Sequence, residues 1–104
     1  MSARLTDLQP WLYPWAAALV RAAQSYGCSL SSVYRSPGEQ LQLYANRRFS
    51  RYPVAPPGHS MHGYRRAFDL AGPAPVLAWL GRVWESWGGR WGGRDGSDPI
   101  HFEA

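Results

Sequence analysis

The residues of this sequence best suited to chemistry are its histidines, His59, His62 and His101, and two aspartates, Asp69 and Asp98. The segment Ala67 to Leu70 reads as a strand, and strict alternation turns Ala67 and Asp69 to one side and Phe68 and Leu70 to the other. Ile100-His101-Phe102-Glu103 alternates in the same way, with His101 and Glu103 on its polar face. If these strands are neighbours, an Asp69 oxygen and a His101 nitrogen converge, and His62 can swing in from the loop seven residues before Asp69. Three such N/O ligands leave a fourth tetrahedral position for water, which is the arrangement of a catalytic zinc site. The lack of a Cys cluster argues against structural zinc. On spacing alone the commoner reading of such histidines is that they are satisfied surface or core groups.

Asp98 stands three residues before His101, an odd offset that would aim it at the opposite face of an unbroken strand. A kink at Pro99 is needed to bring it round, and proline is tolerated at a strand start. Beside a metal, Asp98 would take the proton of a water whose pKa the ion lowers to about 7 and pass it to a leaving amine. Arg35 could offer its fork of donors to a developing oxyanion or a substrate carboxylate; its plainer alternative is a surface ion pair. His59, three residues before His62, could compete as a ligand, but its loop position predicts a surface role.

The elements that would position these groups can be read from periodicity and punctuation. Trp11, Trp15, Leu19, Ala23 and Tyr26 recur near helical spacing, with Pro14 in a first turn and Gly27 where a C-terminal cap belongs, so a helix is expected from about 14 to 26 with its Trp residues in the core. Residues 29 to 35 suggest a short strand. Ser36-Pro37-Gly38-Glu39 is a capping box that starts a second helix running to about Arg48. Pro53, Pro56, Pro57 and Gly58 make 51 to 60 a loop. A third helix opens at Pro73 and Pro75, carries Leu77, Leu80, Trp84 and Trp87 as its apolar stripe, and closes at Gly88 and Gly89. The duplicated Trp-Gly-Gly-Arg at 87 to 90 and 91 to 94 is expected to be a turn between strands. Together these elements predict an α+β domain, a small antiparallel sheet with about three helices.

With 104 residues the chain is expected to form a single domain, 1–104, and its 45% hydrophobic content with fifteen aromatics is enough to drive collapse. No stretch free of Asp, Glu, Lys and Arg, Leu8 to Val20 included, exceeds 13 residues against the roughly 20 that span a bilayer, so no membrane span is expected. No signal peptide is visible, which predicts synthesis in a cytoplasm, and the lone Cys28 suits a reducing compartment. All eleven basic residues are Arg and the net charge is +4, which permits an anionic partner without demanding one.

Tyr34-Arg35-Ser36 with Glu39-Gln40 and Leu43-Tyr44, then Pro57 to His62 through Ala67-Phe68-Asp69, then Trp91-Gly92-Gly93 and Asp98 to Glu103, resembles the zinc peptidases of the D-Ala-D-Ala carboxypeptidase (VanY-like) and phage L-alanyl-D-glutamate endopeptidase group. The likeness spans roughly residues 28 to 103, and its Ser-x-His, Ala-x-Asp and Asp-x-x-His motifs fall in the right order. It implies a Hedgehog/DD-peptidase-like zinc peptidase fold and a Zn2+ held by His62, Asp69 and His101, with Asp98 as catalytic base. It further implies that Arg35 acts on substrate and transition state, that Ser60 lines the cleft and that Gln40 supports the arginine. The family usually has Gly three residues after the first zinc His, where this chain has Arg65. If φ is positive there, Arg costs on the order of 1 kcal/mol; alternatively Gly63 takes the bend.

The function expected from this likeness is hydrolysis of the peptidoglycan stem peptide, as an endolysin-like L-alanyl-D-glutamate endopeptidase or as a D-Ala-D-Ala carboxypeptidase whose terminal-carboxylate pocket Arg65 or Arg66 could supply. The expected partner is bacterial peptidoglycan, reached by a phage lysis route, with the chain acting as a monomer and no nucleic acid bound. The alternative of another class is a non-catalytic module binding cell wall or single-stranded nucleic acid through Arg and aromatic side chains. Against that alternative, most aromatics fall on helical stripes and no stacking face with interleaved Arg is apparent.

Overall fold

Helix α1 (Tyr13–Ser25) begins beside Pro14 and is stopped by Gly27, which takes φ 83°. The computed structural model describes residues 2–104. The buried stripe of α1 is Ala16, Leu19, Val20 and Ala23, continued by Leu12 just before it, whereas Trp11 and Trp15, expected inside, are each 53% exposed and Tyr26 is 58% exposed. The inward face is thus rotated from the one the Trp residues mark. Ala16 and Ala23 are fully buried, and such small residues let α1 lie close against its neighbours where an indole would hold it off.

Strand β1 (Ser29–Ser32) follows, then α2 (Pro37–Ala45). The capping box forms as expected: the Ser36 hydroxyl accepts from the Glu39 N–H at 3.2 Å, and the Ser36 N–H donates to Glu39 Oε1 at 3.1 Å. The helix is shorter than expected, with a separate 3-10 turn at Arg47–Phe49. The Pro-rich segment is irregular and ends in a second 3-10 turn, Met61–Tyr64, whose N-cap is Ser60. Strand β2 (Ala67–Ala71), α3 (Ala74–Ser86), β3 (Arg90–Trp91) and β4 (His101–Glu103) complete the chain. Trp87, expected on the inner stripe of α3, caps that helix instead and is 42% exposed, with its ring 6.0 Å from that of Trp15. The second half of the Trp-Gly-Gly-Arg duplication, expected to be a turn, begins in strand β3, because Arg90 and Trp91 pair with Glu103 and Phe102.

The sheet order is β1-β2-β4-β3, antiparallel throughout. One face carries Phe68 and Phe102, stacked at 5.4 Å, with Trp84 of α3 edge-on to Phe68 at 5.2 Å. Leu77 and Leu80 of α3 and the α1 stripe close this core. Gly81 lets α3 approach β3, since a side chain there would run into the Trp91 indole. No helix among the described residues is long and apolar enough to cross a membrane.

Candidate metal centre

The other face of the same strands carries the polar groups. Asp69 and His101 are direct register partners on β2 and β4. That is the juxtaposition their alternation predicts. His62 arrives from the 3-10 turn, where the Ser60 hydroxyl accepts from the His62 N–H at 3.3 Å and starts the turn. His62 Nε2 lies 3.1 Å and His101 Nδ1 3.3 Å from the same oxygen, Asp69 Oδ1. His62 and Asp69 are buried, and His101 is half-buried.

The hydrogen bonds around the three residues decide which atoms face inward. A carbonyl can only accept, so His62 Nδ1, 2.7 Å from Val33 O, carries the proton and leaves Nε2 with its lone pair toward Asp69. His101 Nε2 lies 2.7 Å from Glu103 Oε1 and donates to it, which leaves Nδ1 facing Asp69. With neutral imidazoles, two lone pairs and a carboxylate oxygen would then converge on one point, an arrangement that repels unless a cation or a proton sits among them. Ligand atoms around an ion at ~2.0–2.1 Å in a tetrahedron are ~3.3 Å apart. The two distances to Asp69 Oδ1 match that edge closely, so the donor set fits a divalent ion.

Without an ion, protons do the neutralising. Burial opposes charge on His101, but the hydrogen bonds to Asp69 and Glu103 and their negative charges outweigh it and push its pKa up to about 9. Burial likewise opposes charge on Asp69, yet the hydrogen bonds from His101 and His62 hold its carboxyl well below the usual range.

Arg35, Gln40, Ser60 and Asp98 all line a cleft of about 430 Å³ that His62, Asp69 and His101 also line. Arg35 Nη2 donates to Asp69 Oδ2 at 2.9 Å, and Nη1 approaches Gln40 Oε1 at 3.5 Å. Buried Gln40 in turn donates to Ala55 O at 2.7 Å, joining the arginine to the Pro-rich loop. Arg35 therefore makes a partly buried ion pair with the Asp69 carboxylate, where the plainer expectation was a surface pair. Asp98 enters by a route the sequence did not resolve. The strand begins only at His101, and the His101 N–H donates to Asp98 O at 3.1 Å, so a tight turn, not a kinked strand, corrects the odd offset. Gly92 makes room for that turn, since a Cβ there would sit 2.6 Å from Asp98 O. Burial raises the Asp98 pKa, partly offset by the positive charge of His101. Among the described residues, Asp98 Oδ1 and Arg35 Nε are buried without a hydrogen-bond partner, and both residues line the cleft, where a ligand group could satisfy these atoms.

His59 stands exposed at the cleft wall, outside the ligand cluster. Arg65 takes the left-handed conformation, φ 59° and ψ 36°, so the bend falls on it and not on Gly63. Arg65 and Arg66 turn away from the cleft: Arg65 lies over Tyr34 and donates to Asp7 O, and Arg66 donates to Ala104 O. A second recess, of about 310 Å³, shares Pro53, Asp98, His101 and Glu103 with the first, so the two adjoin at His101. The part played by Glu103 was missed in the sequence, although its place two residues after His101 on one strand face was the available signal.

No family model and no curated protein matches the sequence. Solved structures do. The vancomycin-resistance D,D-dipeptidase VanXYg, in complex with a D-Ala-D-Ala phosphinate analogue, superposes with a TM-score of 0.72 at 21% identity over 92% of this chain. The chain spans 49% of VanXYg, about half its length. A variant of the D,D-pentapeptidase VanY in complex with Zn(II) matches with a TM-score of 0.66 at 19% identity, over 92% of this chain and 71% of that one. The L-Ala D-Glu endopeptidase ChiX of Serratia marcescens matches with a TM-score of 0.68 at 20% identity, over 95% of this chain and 81% of that one. The three helices and the four-stranded antiparallel sheet of this chain therefore form the fold of the VanY and D,D-peptidase zinc peptidases.

Proposed function

We propose that this chain is a zinc-dependent peptidase that hydrolyses a peptide bond in the stem of bacterial peptidoglycan, as an L-alanyl-D-glutamate endopeptidase. The observation that carries the proposal is the convergence of His62 Nε2, Asp69 Oδ1 and His101 Nδ1 on one point beside the unpartnered Asp98 Oδ1. The Zn(II) in VanY, which has the same fold, supports zinc as the ion. A Zn2+ held by His62, Asp69 and His101 would supply Lewis-acid polarisation of the scissile carbonyl and lower the pKa of a nearby water. Asp98 takes the proton of the attacking water and delivers it to the leaving amine; its raised pKa makes it a stronger base than an exposed aspartate. Arg35 spends one donor on Asp69 and one toward Gln40, and its other N–H groups serve the developing negative charge.

Endopeptidase action is favoured over carboxypeptidase action by the two recesses that adjoin at His101, which together offer room for chain beyond a single terminal residue. It is also favoured by Arg65 and Arg66, which face elsewhere and form no terminal-carboxylate pocket. The D,D-peptidases of the same fold keep the carboxypeptidase as second reading.

The test is metal analysis of purified protein, followed by incubation of wild type and His62→Ala with purified peptidoglycan and mass spectrometry of what is released. About one zinc per chain and new D-Glu amino termini, both lost in His62→Ala, are expected. Loss of a terminal D-Ala would transfer the assignment to the carboxypeptidase. A zinc-free wild type that releases nothing would refute both.

A further inference from the structure

We propose that Glu103 is a positioning residue of the metal centre, whose carboxylate fixes the tautomer and ring plane of His101 so that Nδ1 is presented as the ligand atom. This rests on reading His62, Asp69 and His101 as metal ligands. An imidazole has two neutral tautomers, and only the one protonated at Nε2 leaves Nδ1 free to bind a cation. A carboxylate accepts and does not donate, so Glu103 Oε1, 2.7 Å from His101 Nε2, selects that tautomer.

The backbone holds Glu103 in place for this task. β4 puts its side chain on the face that carries His101, its Cα partners are Ala67 and Arg90, and the core indole of Trp84 donates to its carbonyl at 2.9 Å. Among the described residues the Arg90 guanidinium makes no hydrogen bond or ion pair with the Glu103 carboxylate, whose one hydrogen bond there is to His101. An ion-pairing role on the surface would look different. The other two ligands have counterparts: Val33 O holds His62 Nδ1, and Arg35 holds Asp69 Oδ2. Outer partners of this kind orient ligands, and losing one costs about 10–100-fold in metal affinity.

Two variants separate orientation from charge. Glu103→Gln keeps an acceptor oxygen for Nε2–H, while Glu103→Ala removes it. Zn2+ affinity is measured by competition with a chromogenic chelator, and Co2+-substituted protein gives a ligand-field spectrum that reports geometry without any turnover. Glu103→Ala is expected to weaken Zn2+ binding about 10–100-fold and to change the Co2+ spectrum, and Glu103→Gln to stay within a few-fold of wild type with its spectrum kept. Should Glu103→Ala fail to fold, Glu103→Leu, which keeps a side chain of similar size without an acceptor oxygen, takes its place with the same expected loss. Unchanged affinity and spectrum in Glu103→Ala would overturn the proposal, as would a Gln variant as impaired as a folded Ala variant. A wild type that binds neither ion would instead remove the metal-centre reading itself.

Discussion

Replacing Arg65 by Gly and by Ala separates a backbone effect from a side-chain effect in the turn that carries His62. Arg65 is the one non-glycine residue at positive φ among the described residues, and its N–H donates to His62 O at 3.3 Å while its carbonyl accepts from the Gln9 N–H at 2.9 Å. A left-handed conformation costs an L-residue about 1–2 kcal/mol. The side chain offsets that cost with its guanidinium 4.1 Å above the Tyr34 ring and a 3.1 Å hydrogen bond to Asp7 O. Together these are worth about 1–2 kcal/mol. The ion pair to Asp7, at 3.9 Å and with Arg65 45% exposed, adds little. Arg65→Ala loses the anchor and keeps the strain, so it should lose about 1–2 kcal/mol of stability. Arg65→Gly loses the same anchor but sheds the strain. Glycine's larger unfolded-state entropy takes back part of the gain, leaving it about 1 kcal/mol more stable than the Ala variant. For a domain of this size that is about 4–8 °C in Tm. Thermal and urea unfolding followed by tryptophan fluorescence, on zinc-free and zinc-loaded protein, would measure it. An Ala variant as stable as the Gly variant would refute the strain argument.

Asp98→Asn should lower peptide release about 10²–10⁴-fold while leaving zinc content unchanged. The same variant should be more stable than wild type at pH 7 but not near pH 3. A carboxyl with a raised folded pKa contributes stability only below its unfolded pKa and loses it as pH rises through the folded value, so the ionised form is the costly one. Urea midpoints at both pH values check this, and a stability loss at pH 7 would contradict it. Gln40→Ala should cost about 1–3 kcal/mol by leaving Ala55 O without its donor, and should speed amide exchange across 51–60. Unchanged exchange there would show that Gln40 does not tether the loop.

Strand parity put Asp69 and His101 each on the polar side of its own strand, and the register adds what parity could not, that the two strands are neighbours; period-two alternation survives wherever one face must be buried. The capping box was equally plain, since its hydrogen bonds join residues three apart. Where the sequence misled, it did so on helix faces and turns. In α1 two apolar stripes compete, one marked by Trp11 and Trp15 and one by Leu12, Ala16 and Leu19, and hydrophobicity favours the larger rings. Close packing favours the smaller residues, which is a tertiary demand. The Asp98–His101 turn was illegible because it depends on the space above Gly92. Strand β3 is two residues long and owes its form to its partner β4.

The stacked Phe68 and Phe102 occupy the rung next to Asp69 and His101, on the opposite side of the same two strands. The benzene rings therefore act as a spacer bar: how tightly they lie together calibrates how far apart the carboxylate and the imidazole stand on the wet side. Oily repacking in this molecule is never purely a matter of durability, because a thicker or thinner spacer would shift the Asp69 carboxylate against the His101 imidazole on the far side.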